Sequence, residues 1–128
     1  MRDLTSNIGA VLALAPAIKT AAGVGPAIDL QGFESVAFIV NTGAIAASGD
    51  FGVKLQESDT TTSGDFTDVA ADYVDSTAPA TLAASSAYKL GYRGFKRYTR
   101  LSLTYVGGTS IALGAVAVLG DAHSRPVA

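Results

Sequence analysis

The strongest constraint on this chain lies in its last third, where apolar and polar side chains alternate over two consecutive runs. Leu101, Leu103 and Tyr105 fall on one side of an extended backbone, and Arg100, Ser102 and Thr104 on the other. After Gly107-Gly108, the residues Ile111, Leu113, Ala115, Ala117 and Leu119 alternate with Ala112, Gly114, Val116 and Val118. A period of two is a strand period, because successive side chains of extended backbone point to opposite faces. Two such runs joined by a glycine pair predict a β-hairpin, since both turn residues accept positive φ. The second run carries no charge, which predicts burial on both faces or cover by another subunit.

The same signature recurs upstream. Phe51, Val53 and Leu55 alternate with Gly52, Lys54 and Gln56, a half-buried strand with one wet face. Val36, Phe38 and Val40 share one face and Ala37 and Ile39 the other, so this strand is expected to be central and covered on both sides. Ser58 to Gly64 reads as a polar loop tip, from which Phe66, Val69 and Tyr73 return toward the core. Pro16 and Pro26 exclude one long helix at the N-terminus. Ala10–Leu14, Ala17–Thr20 and Ala27–Leu30 read as short extended pieces, with Gly23–Pro26 as a turn. The 128 residues suit one domain. The expected fold is all-β: an antiparallel β-sandwich or jelly-roll-like small barrel with an extended N-terminal arm. Residues 1–27 form the arm or a first hairpin, and residues 28–128 the β domain, which closes in an irregular C-terminal extension from Asp121 to Ala128.

Chemistry is sparse. The net charge of −2 gives no case for nucleic acid held by bulk positive charge. The apolar run from Ile8 to Ala15 is too short to cross a bilayer, and Asp3, Pro16 and Lys19 weaken a signal-peptide reading, so no membrane partner is expected. Without cysteine there is no disulfide and no thiolate metal site. His123, the only histidine, sits beside Asp121 and Ser124 in a proline-containing tail, and adjacency in sequence is not triad geometry. Asp59, Asp65 and Asp68 offer loop oxygens for calcium, but their spacing is not that of an EF-hand. The expectation is a protein that binds rather than catalyses, with no catalytic residues, no metal and no cofactor.

The charges are sorted along the chain. Seven acids and a single base, Lys54, lie between residues 50 and 75, whereas five bases and no acid lie between 89 and 100. Either these are two solvated surfaces, or copies and partners dock acid to base. The basic segment interleaves Tyr88, Tyr92, Phe95 and Tyr98 with Lys89, Arg93, Lys96, Arg97 and Arg100. Such a mixture stacks on single-stranded nucleic acid or anchors a protein interface. The small net charge favours the protein partner.

Tyr92 to Tyr98 (Tyr-Arg-Gly-Phe-Lys-Arg-Tyr) resembles the C-terminal part of small proteins found with the head genes of tailed bacteriophages. So do Ala115-Val116-Ala117-Val118-Leu119-Gly120 and the tail His123-Ser124-Arg125-Pro126. Val53 to Asp59, followed by Asp65-Phe66-Thr67-Asp68-Val69, is similar as well. The likeness runs from about Ile28 to the end and identifies the chain as resembling capsid decoration, or cement, proteins. The resemblance implies a structural virion protein, assembled in the host cytoplasm, that binds the outside of a phage head. There it would clamp major capsid protein subunits, with its own copies as further partners in a trimer or other homo-oligomer. The expected interface comprises Tyr92, Arg93, Lys96, Arg97 and Arg100, together with Ile8, Val11, Leu12 and Leu14 of the arm. A tail or head-completion component is the first alternative. A carbohydrate-binding β-sandwich for host attachment is the second, though the chain has no tryptophan for a sugar platform.

Overall fold

The computed structural model describes residues 4–122. The alternating segments become strands: β1 (Gly9–Lys19), β2 (Gly23–Val24), β3 (Ile28–Asp29), β4 (Phe33–Ala46), β5 (Asp50–Ser58), β6 (Thr67–Asp68), β7 (Val74–Ser76), β8 (Ala87–Tyr92), β9 (Tyr98–Gly107) and β10 (Ser110–Ala122). Thr5–Asn7, Ser63–Asp65 and Ala71–Tyr73 are single 3-10 turns. All pairings are antiparallel. One sheet has the order β1-β10-β4-β8-β7; in the other, β2-β9-β5-β6, β3 also pairs with β9. The two sheets make the expected sandwich.

The core lies between the sheets. The first contributes Val36, Phe38 and Val40 of β4, Leu90 of β8, and Ile111, Leu113, Ala117 and Leu119 of β10. The second contributes Phe51 and Leu55 of β5 and Leu101 and Leu103 of β9. These are the period-two sets of the sequence, each turned inward as a unit because a strand cannot rotate one side chain without rotating the rest.

The glycine pair does not make a hairpin. β9 pairs with β5, β2 and β3, whereas β10 pairs with β4 and β1. Residues 107–109 therefore carry the chain from one sheet to the other. Leu101 and Leu103 of β9 and Ile111 and Leu113 of β10 turn into the same core, and strands whose apolar faces meet across a core belong to opposite sheets. β4 and β5 make the same crossing through Ala47 and Ser48, both at positive φ (48° and 58°). The two crossings pack together. Gly108 has φ +79°, and a Cβ there would stand 2.3 Å from the Ser48 carbonyl oxygen.

The N-terminal segment is a sheet edge. β1 runs along β10 from the Gly9–Leu119 pair to the Lys19–Ile111 pair. Its two expected pieces meet where the register shifts between Leu12 and Leu14 and again between Leu14 and Ala17. Cover of β4 is one-sided, since Ala37 and Ile39 remain half-buried on the outer face. At the C-terminus, Asp121 and Ala122 end β10 instead of opening an irregular tail. Residues 123–128, with His123, Ser124, Arg125 and Pro126, lie outside the described residues.

Candidate interaction surface

Exposed apolar side chains are spread over several elements, among them Val24 of β2 and Val106 of β9, and two regions combine them with a defined geometry. The first is the outer face of the larger sheet. Cross-strand register aligns Leu12, Val116 and Ile39 in one row, with Lys89 at its end, and Ala10, Val118 and Ala37 in the next. Leu12 is 52% exposed, and Val116, Ile39, Val118 and Ala37 are half-buried. The row exists because β10 and β4 are apolar on both sides, while the core covers only one.

The sheet has two edges, the short β7 and the long β1, and β1 is poorly suited to receive another strand. Pro16 has no N–H to donate, and the two register shifts break the ladder geometry. The face, not the edge, is the accessible surface here.

The second region is the crossing from β8 to β9, residues 93–97. Its geometry starts at Tyr92, which is 7% exposed. The Tyr92 hydroxyl donates to Glu57 Oε1 at 2.7 Å and accepts from the Lys96 backbone N–H at 3.0 Å. Burial, and next the hydrogen bond to Glu57, push the phenol well above its usual range, so it stays protonated as a donor. Gly94 lets the chain pass over this ring, since a Cβ there would lie 2.4 Å from the hydroxyl oxygen. The Arg93 N–H donates to the Tyr73 carbonyl (2.7 Å), and the Leu30 N–H donates to the Arg97 carbonyl (2.9 Å). Between these fixed points stands Phe95, 81% exposed, in an edge-type contact with Tyr73 at a centroid distance of 5.5 Å and on the rim of a groove that Leu30 and Phe33 also line.

The basic residues of this segment are engaged within the chain. Arg93 pairs with Asp75 at 2.8 Å, Lys96 with Asp59 at 2.9 Å, and Arg97 with Asp29 at 2.9 Å. Arg97 grips Asp29 through both Nε and Nη2 and also donates to Gln31 Oε1. That grip holds the Asp29 carboxyl below its usual range and raises Arg97. The hydrogen bond to Asp59 likewise raises Lys96. Arg100 is only 9% exposed; its guanidinium lies over the Phe66 ring at 4.3 Å and donates to Gln56 Oε1 at 2.7 Å. The acid and base blocks thus meet inside one molecule, on the two sides of a folded sandwich.

Of the residues expected at an interface, Leu14 is 5% exposed in the core, and Tyr92 and Arg100 are buried supports. Ile8 is half-buried; Val11 and Leu12 are exposed on β1; Arg93, Lys96 and Arg97 lie around the 93–97 crossing. Phe95 was legible only as one aromatic among cations, because nothing in the sequence marks it as the one left outside. The loop acids are separately satisfied: Asp59 by Lys96, Asp65 by the Thr60 hydroxyl, Asp68 by Lys54 and Gln56. Among the described residues no three potential metal ligands of the His, Cys, Asp and Glu types come together. No described helix is long and apolar enough to cross a membrane.

No protein-family model matches the chain, and no curated protein does. Solved structures do. The crystal structure of the SPBc2 prophage-derived protein YomS superposes with a TM-score of 0.51 at 10% identity, covering 88% of this chain and 93% of that one. The structure of infectious bursal disease virus, Gx strain, gives a TM-score of 0.51 at 11% identity over 93% of this chain. In that case this chain spans 33% of the viral one. At such identities the likeness is one of fold.

Proposed function

We propose that this chain is a structural virion protein, and more specifically a capsid decoration protein that seats on the outer surface of a phage head and bridges major capsid protein subunits. The observation that carries the reading is the outer face of the larger sheet, where Leu12, Val116, Ile39, Val118 and Ala37 form a contiguous apolar surface. Contiguous apolar surface of this kind is characteristic of a face that another polypeptide covers. A shell presents the same site many times, so modest contacts per copy add up to firm attachment. Support also comes from the phage-head resemblance of the 92–98 segment and from fold likeness to a prophage-derived protein and a viral structure. Ion pairing within the chain favours the apolar mode of docking over docking of acid to base. With Arg93, Lys96 and Arg97 each paired to an acid of the same chain, attachment runs through apolar contact and not through exchange of charge between copies.

A cryo-electron microscopy map of particles with and without the chain tests this reading. Difference density on the shell exterior between capsomers, with the larger sheet facing the shell, is the expected result. Density confined to the tail or the neck, or no difference at all, overturns it.

A further inference from the structure

The 93–97 crossing combines two properties that seldom coincide, extreme exposure of an aromatic ring and hydrogen-bonded anchoring of the backbone on both sides of it. Backbone hydrogen bonds tie down Arg93 and Arg97, the Tyr92 hydroxyl ties down the Lys96 N–H, and Gly94 is pressed against the Tyr92 ring. Three ion pairs to Asp75, Asp59 and Asp29 flank the loop. Leaving a phenylalanine in water while restraining its loop forgoes both burial and chain entropy, and nothing within this sandwich is gained by it. A partner pocket recovers both, because a side chain already held in place loses little freedom on binding.

We infer that Phe95 is a pre-set anchor that enters an apolar pocket of the shell protein, with Tyr92 as the residue that positions it. This rests on the decoration reading above. The kind of pocket follows from the charge pattern. The loop's three cations are matched by three carboxylates of the same chain, so it offers the partner no net charge to answer. The pocket is therefore apolar with a neutral rim, and binding is insensitive to salt.

The test uses the full chain and phage shells stripped of it, in a cosedimentation titration. Wild-type protein binds with affinities that agree within about 2-fold between about 50 mM and about 500 mM salt. Phe95→Ala lowers affinity about 30-fold, the scale of a central aromatic anchor, without moving the thermal midpoint, since the ring is outside the core. Phe95→Tyr retains most of the affinity. Tyr92→Phe, which removes the hydroxyl but keeps the ring, weakens binding about 3-fold to 10-fold through loss of the preset loop. Equal binding by Phe95→Ala, or a steep fall with salt, overturns the anchor while leaving the shell reading intact. Phe95-dependent self-association of the chain alone, or Phe95-dependent retention on a glycan array, also overturns it by assigning the ring to a different occupant. Failure of the wild type to bind shells removes the decoration reading and the anchor together.

Discussion

At the scale of single residues, the fold is held by groups whose partners lie far away in sequence. Thr99 is fully buried on the inner side of β9, and its hydroxyl is the one buried side-chain polar atom without a hydrogen-bond partner among the described residues. A buried, unanswered hydroxyl is a cost that a methyl group of the same shape avoids. Thr99→Val is therefore expected to raise the unfolding free energy by about 1 kcal/mol, read as a higher urea midpoint at unchanged slope. Asp29 gives a pH prediction. The Arg97 hydrogen bond, helped by the Gln31 N–H, lowers its pKa in the folded state below the ordinary 3.8. A depressed carboxylate stabilises the fold above its unfolded pKa and loses that contribution as pH falls through the folded one. Thermal midpoints should thus drop between about pH 4 and about pH 2, and Asp29→Asn should flatten part of that drop. An equal slope in both proteins would show that the pair adds nothing.

At the scale of elements, the strands were legible and their partners were not. Leu101-Leu103 announced a strand with one buried face; the uncharged run Ile111-Leu113-Ala115-Ala117-Leu119 announced a strand covered on both faces or by another subunit, whereas in this chain Ala112, Val116 and Val118 on its outer face are only half-buried. The glycine pair between them announced a reversal. Whether a reversal returns along the same sheet or crosses to the opposite one depends on which faces must meet across the core, and local spacing does not carry that. The partner of β1 was equally hidden: Ala10–Leu14 and Ala17–Thr20 read as extended pieces of an arm or first hairpin, and only the fold shows that β10 supplies their ladder. The crossing itself is testable. Gly108→Ala forces a Cβ against the Ser48 carbonyl at a positive-φ position and should cost about 1 to 3 kcal/mol, measured by chemical denaturation. A neutral result would show that the two crossings can separate without harm.

At the scale of the whole molecule, the separation of acids and bases along the sequence disappears on folding. Residues 50–75 and 89–100 look like opposite surfaces in one dimension, yet Asp75 meets Arg93 and Asp59 meets Lys96. This pairing was invisible in composition because it depends on the β8–β9 crossing passing over the end of β5. What stays uncompensated is apolar. Leu12→Glu, on the outer face of the larger sheet, should leave unfolding within about 0.5 kcal/mol of wild type, as exposed substitutions do, yet lower shell occupancy in the titration described above. Unchanged occupancy would move the contact elsewhere. One feature of the topology also bears on how the molecule is made. β10 is the spine between β1 and β4, and among the described strands it is the last to be translated. Until it emerges, β1 has no ladder and β4 lacks its main neighbour, so the sheet of β2, β9, β5 and β6 can form but has no completed partner to pack on. Closure of the sandwich thus waits on translation of β10, and a chain cut short before it is left open to proteolysis.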